Sequence, residues 1–290
     1  MSTESHERPL TLLTVHAHPD DEVFSTGGLY ARAHDQGVHT VLITSTGGEN
    51  GEIHDPDLDP EEARPHLAEI RERELRRAAN ILGIDEVHTL GYRDSGMRGT
   101  PENDDARAFL NADRDEAIGR VVRLLREIRP DVVVTYDPGG GYGHPDHITA
   151  HEVATAAVAA AAEGDRYPDA GPAWATPKFY WVASVREHFA RFGEIIAESG
   201  IEPPMQDAGY DIEQFQVAES EITAQLDVRE YVQRKLEAMR AHRTQIPVDD
   251  FLNTLPSDAI EKLLGTESYI RVHSTVDAPQ AETDLFTGLR

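Results

Sequence analysis

This 290-residue chain predicts an α/β fold built on a Rossmann-like, doubly wound, mostly parallel sheet with helices on both faces. Three observations carry that prediction. Apolar runs alternate with amphipathic stretches in βαβα order through about the first two-thirds of the chain. One of the runs, DVVVTYD, is β-branched almost throughout, as strands buried on both faces are. Two runs, LTLLTVHA and DVVVTYD, each lead into a loop dense in histidine and aspartate, and open parallel sheets bind ligands at such carboxyl strand ends.

The elements follow in order. LTLLTVHA reads as the first strand, FSTGGLYARAHDQG as a helix and HTVLITS as the second strand. After the polar loop TGGENGEIHDPDLDP, the stretch EEARPHLAEIRERELRRAANILG is helical beyond Pro65 and stops at Gly83, a residue suited to the left-handed helix end. EVHTLGY is a short third strand. A loop from Arg93 to about Asp113 precedes RDEAIGRVVRLLREIR, whose apolar residues recur at helical spacing until Pro130 ends it. The fourth strand DVVVTYD leads through GGGYGHPDH to an alanine-rich helix from about Ile148 to Ala162, and KFYWVASV is the fifth strand. In the last third, ITAQLDV and REYVQRKLEAMRAHRTQI read as strand and helix, and AIEKLLGTESYIRVHS as helix and strand. No repeat or long linker divides the chain. We expect one domain over 1–290, with an α/β core at about 12–181 and a C-terminal elaboration at about 200–290.

Composition narrows the chemistry. The hydrophobic fraction of 39% is ordinary for a globular chain, and no apolar run approaches the roughly 18 residues of a membrane span. The opening MSTESHERPL lacks the basic-then-apolar pattern of a secretion signal, so a soluble cytoplasmic protein is expected. With Cys 0, thiolate metal sites, disulfides and cysteine nucleophiles are excluded, leaving His, Asp and Glu as metal ligands. A net charge of −26 disfavours nucleic acid and anionic membranes as partners. It otherwise reads as a solvated acidic surface.

The histidine motifs carry the functional signal. In a sheet ordered 3-2-1-4-5, strands one and four are neighbours, so HPDDE (18–22) and HPDH (144–147) face one another across the crevice where the strand order reverses. His18 and Asp21 converge where strand turns into helix, and His147 supplies a third donor, a set suited to a catalytic zinc with an open position for water. Asp20 then lies where a general base for that water belongs. Helix capping is the plain alternative for Asp20 and Asp21, and for His144 and His147 around Pro145. Capping does not call for histidines at both places, which favours metal. A dinucleotide loop is rejected, because His144 stands where G-x-G-x-x-G needs its last glycine.

At these residues the chain resembles the LmbE-like, or PIG-L, family of zinc-dependent N-acetylglucosaminide deacetylases. AHPDD (17–21) and HPDH carry the likeness, with TGGENGE, RERELRRA, YRDSGMRGT, YDPGGGYGHPDH and KFYW extending it over 12–181, nearest to the mycothiol-pathway members. The resemblance implies His18, Asp21 and His147 as ligands of one Zn²⁺, with Fe²⁺, Co²⁺ or Mn²⁺ as substitutes. It implies Asp20 as base, His144 with Asp146 beside it as oxyanion donor and acid, Tyr142 as a mobile catalytic tyrosine, and Arg71, Asp94 and Glu52 as substrate contacts. On the residues alone Arg71 reads equally as an exposed helical ion pair, and Tyr142 as loop packing. The implied partner is a small amino-sugar, N-acetylglucosaminyl-inositol first. A mycothiol S-conjugate, a bacillithiol-type precursor, or a metal- and sugar-binding module without catalysis are the alternatives.

Overall fold

In a computed structural model, which describes residues 8–198 and 212–290, the two runs singled out above lie side by side at the centre of one sheet. The elements are β1 (Thr11–His16), α1 (Asp21–Ser25), α2 (Gly27–Asp35), β2 (His39–Thr46), α3 (Pro60–Ala63), α4 (Leu67–Leu82), β3 (Glu86–Tyr92), α5 (Arg114–Ile128) and β4 (Val132–Thr135). They continue with α6 (Pro145–Ala161), β5 (Lys178–Val182), α7 (Arg186–Glu198), β6 (Ala224–Asp227), α8 (Val232–Ala241), α9 (Ser257–Leu264) and β7 (Thr266–Ser274). The sheet order is β3-β2-β1-β4-β5-β7-β6. The first five strands run parallel in the expected 3-2-1-4-5 order, and β7 and β6 extend the sheet antiparallel.

Successive residues of a strand point to opposite faces, so neighbouring leucines serve different cores. Leu12, Leu42, Val132 and Val134 pack with α2, α4 and α8, whereas Leu13, Val41, Ile43 and Val133 pack with α5 and α6. Each face removes a continuous apolar surface from water, and β1 and β4 are buried at every position.

Several boundaries differ from the sequence reading. The first predicted helix is broken at Thr26 into α1 and α2, because Thr26 leaves helical geometry at φ −137°. The alanine-rich helix starts at Pro145 rather than Ile148, since Pro145 takes the first helical position, where its missing N–H is harmless, and the His144 ring accepts from the Asp146 amide. Helix α7 was not expected at all. It follows β5 after a short connection, in the stretch after KFYWVASV to which the sequence reading assigned no element. The opening residues up to Glu7, and the start of the C-terminal elaboration near 200, lie outside the described residues. Among the described residues no helix is long and apolar enough to cross a membrane.

Candidate metal and catalytic centre

Three nitrogen and oxygen donors meet at the carboxyl ends of β1 and β4. His18 Nδ1 lies 3.2 Å from His147 Nε2, Asp21 Oδ1 lies 3.3 Å from His147 Nε2, and Asp21 Oδ2 lies 3.5 Å from His18 Nδ1. His18 and His147 are buried, and only 13% of the Asp21 side chain meets solvent. Ligands about 2.0–2.1 Å from a tetrahedral ion stand roughly 3.3–3.4 Å apart, so these separations fit one divalent cation.

The ring tautomers give the same answer. His147 Nδ1 sits 3.1 Å from the Gly140 carbonyl, which accepts only a proton, so Nε2 carries the lone pair. His18 Nε2 is 3.1 Å from the Asp146 carboxylate, which turns the Nδ1 lone pair toward His147. Two lone pairs facing each other beside a carboxylate repel unless a cation or a proton lies between them. Burial works against a charged His18 ring, but Asp94, Asp146 and Asp21 outweigh it and raise its pKa well above the usual value. A proton thus answers the same field that an ion would.

The backbone is shaped for this meeting. Gly140 has φ +65°, and a Cβ there would sit 2.7 Å from the His147 Cβ and 2.9 Å from the Ile148 amide, so only glycine lets the loop close on the helix start. Tyr136, just past β4, stacks on the His147 ring at 4.3 Å and takes a hydrogen bond from the Ala17 amide at 2.8 Å, tying the two motif loops together. Nothing in the sequence marked it beyond its place at a strand end.

Asp20 makes no capping bond through its side chain; its carboxylate pairs instead with Arg71 Nη2 at 3.1 Å. Burial pushes the Asp20 pKa up, Arg71 opposes that and Asp21 adds to it, leaving it at about 6. Its backbone holds φ 128°, a conformation rare for a side chain with a Cβ and costing about 1–3 kcal/mol. Arg71 is not the exposed helical ion pair that its setting in RERELRRA allowed. It is 3% exposed and also donates to the carbonyls of Gly48 at 2.8 Å and Pro19 at 2.6 Å.

The other sequence-predicted residues divide. His144 joins His18 and His147, with polar ring atoms within 4.8 Å of one another. It also caps α6, its Nδ1 accepting from the Asp146 amide at 3.1 Å, so capping and membership of the cluster are not exclusive. Burial and the neighbouring His18 lower the His144 pKa to about 2. Asp146 lies behind His18: fully buried, it accepts from the Ser95 amide at 2.9 Å and the Ser95 hydroxyl. Its contact with His18 Nε2 at 3.1 Å orients that ring. Asp94 is buried with Oδ1 3.7 Å from His18 Nε2 and accepts from the Gly96 and Asn50 amides. Tyr142 is 38% exposed, its ring 4.9 Å from that of His147. Glu52 stands apart. Its side chain is 80% exposed and pairs with His54 at 2.9 Å, because the loop turns it to water; Glu49 reaches inward in its stead, to the Asp94 amide at 3.0 Å.

Residues 13–158 match the family model described as PIG-L, GlcNAc-PI de-N-acetylase. The chain is 45% identical over 287 residues to the 1D-myo-inositol 2-acetamido-2-deoxy-alpha-D-glucopyranoside deacetylase of Geodermatophilus obscurus, covering 96% of this chain and 97% of that one. It is 42% identical over 292 residues to the enzyme of the same name from Rhodococcus erythropolis, again covering 96% and 97%. Among solved structures, the fold is shared with an N,N'-diacetylchitobiose deacetylase from Pyrococcus horikoshii at TM-score 0.62, 21% identity and 90% and 83% coverage. A 4-carboxy-2-hydroxymuconate hydratase from Pseudomonas putida has the same TM-score at 19% identity, covering 93% and 99%, so the fold alone does not select the reaction. The match over half the chain and the identity along its whole length select the family: the chain belongs to the PIG-L family of GlcNAc-PI de-N-acetylases.

Proposed function

We propose that the chain is a metal-dependent amidohydrolase that removes the acetyl group from 1D-myo-inositol 2-acetamido-2-deoxy-alpha-D-glucopyranoside, releasing acetate and the free amine. The substrate comes from the relatives that carry this name at up to 45% identity. The observation that carries the chemistry is the convergence of His18, Asp21 and His147 at 3.2–3.5 Å beside Asp20. These three residues would hold the ion, and two imidazoles with one carboxylate suit Zn²⁺ while also accepting Fe²⁺, Co²⁺ or Mn²⁺. When bound, such an ion polarises an amide carbonyl and acidifies a water molecule.

The remaining steps belong to the chain. Asp20, with a pKa near 6, is ionised at neutral pH and takes a proton from the attacking water. The water oxygen bonds to the acetamide carbon, the C–N bond breaks, and the proton held by Asp20 is returned to the departing nitrogen. Arg71 keeps the Asp20 carboxylate aimed during both transfers. Because the His144 Nδ1 accepts from the Asp146 amide, its proton sits on Nε2, and the ring acts as a neutral donor to the developing oxyanion. An acid role for His144 would require a second proton on the nitrogen that this amide already occupies, so Asp20 is the better acid. Tyr142, beside the His147 ring, and Asp94, beside His18, serve as substrate contacts. A small polar substrate of this kind fits a cytoplasmic enzyme.

The test is amine release from the named substrate by full-length protein, before chelation, after chelation and after metal is restored. Loss and recovery of turnover are expected. Faster cleavage of a mycothiol S-conjugate or of a bacillithiol-type precursor would move the assignment within the family, and metal binding without turnover on any of them would make the chain a binding module.

A further inference from the structure

The strained backbone of Asp20 is held from an unexpected direction. Its amide donates to Glu22 Oε2 at 2.9 Å, and the second oxygen of that carboxylate meets His242 Nε2 at 2.7 Å. His242 follows α8, more than two hundred residues away in sequence, and both side chains are 0% exposed. Its other ring nitrogen, Nδ1, is buried with no hydrogen-bond partner among the described residues, so Glu22 is the contact that fixes the ring. The segment bearing His242 is itself fixed, because the Thr244 amide and hydroxyl donate to Glu74 at 2.9 and 2.6 Å. Glu74 sits one helical turn from Arg71 on α4. One helix thus anchors the Asp20 carboxylate through Arg71 and the brace behind its amide through Glu74.

We propose that His242 is a positioning residue for Asp20, acting through Glu22 to hold the base in its strained, positive-φ conformation. Arg71 grips the carboxylate and the Pro19 carbonyl but leaves the Asp20 N–H without an acceptor. Glu22 supplies that acceptor, and it stays pointed inward because His242 faces it. Without the imidazole, a buried carboxylate has lost its partner and turns toward water, the Asp20 amide loses its acceptor, and φ relaxes to negative values.

This inference rests on the reading of Asp20 as base, and the experiment separates the two. Turnover of 1D-myo-inositol 2-acetamido-2-deoxy-alpha-D-glucopyranoside is measured on metal-reconstituted full-length parent, Asp20→Asn, His242→Ala, His242→Gln and the Asp20→Asn/His242→Ala double variant. His242→Ala should lower kcat by about 10- to 100-fold, the scale of a small misplacement of a reacting group, with KM within about two-fold and metal content unchanged. His242→Gln, whose amide nitrogen reaches the same Glu22 oxygen, should recover most of that loss. The double variant should be no slower than Asp20→Asn, and a crystal structure of His242→Ala should show Asp20 out of the positive-φ region. If His242→Ala does not fold, Glu22→Asp replaces it, since one methylene less leaves the carboxylate unable to span both partners. Parental turnover in Asp20→Asn overturns the base and the brace together. A slow Asp20→Asn with parental kcat in His242→Ala, or with losses that multiply in the double variant, overturns the brace alone.

Discussion

Two buried clusters of acids in this molecule have opposite hydrogen-bond balances. Behind α2, Glu267 receives the Gly28 amide and Lys235 Nζ on one oxygen, at 2.8 and 2.7 Å, and the Leu29 amide and Tyr269 hydroxyl on the other, at 2.8 and 2.9 Å. Glu282 is treated alike by Lys178, Tyr180 and Arg271. Every charge there has its partner. At the carboxyl ends of β1 and β4, by contrast, two imidazole lone pairs and the Asp21 carboxylate face one another. The first cluster is complete as it stands and ties the C-terminal strands to the core; the second is complete only with a cation or a proton between its rings. Burial of an acid is therefore not by itself the mark of the site: Asp94 and Asp146 are hydrogen-bonded there too, and the facing imidazoles set the second cluster apart.

That contrast can be broken by experiment. The largest effect is expected from His18→Ala, Asp21→Ala or His147→Ala, each removing a third of the donor set: metal content by elemental analysis should fall toward zero and turnover to background. Stoichiometric binding retained in all three would dissolve the distinction.

Asp20→Asn should keep the metal and lose about 10²–10⁴-fold in kcat, the range for a positioned base. The pH profile adds a sign. Asp20 works ionised, so kcat/KM falls as pH drops through its pKa of about 6, or lower where a bound cation favours the charged form. This acid limb should vanish in the variant.

The complete cluster should respond the other way. Lys235→Met leaves Glu267 without its cation, and breaking a buried pair costs about 3–5 kcal/mol, read as a lower urea midpoint. Metal affinity and kcat of the folded fraction should stay unchanged. Asp146→Asn should have the smallest effect, weakening metal binding by about 10- to 100-fold while leaving the fold intact, because it touches the ion only through His18.

The sequence made the centre legible because its motifs sit at fixed places on a fold whose strand order could be anticipated. His18, Asp21 and His147 needed only the adjacency of β1 and β4, which the βαβα rhythm supplies. The hold of Asp146 on His18 was not legible, because its orientation depends on Ser95, a loop residue whose hydroxyl could not be located from spacing. The turn of Glu52 to water was hidden for a similar reason: Glu49 and Glu52 are chemically identical, and only the path of the loop decides which turns inward. The Arg71 ambiguity ended only with tertiary packing, since an arginine in an arginine- and glutamate-rich helix has no local sign of burial. The C-terminal third was legible as elements but not as partners, because pairing across two hundred residues leaves no local pattern.

The completed cluster has a practical consequence. The chain has three lysines, and Lys178 and Lys235 are buried against glutamates, leaving Lys262 on α9, 61% exposed and beside Asp258. Amine-directed reagents acting on the folded protein therefore have one accessible side-chain target besides the α-amino terminus. Coupling a fluorophore or a solid support to side-chain amines is thereby confined to Lys262, and the appearance of label at Lys178 or Lys235 becomes a direct chemical gauge of unfolding.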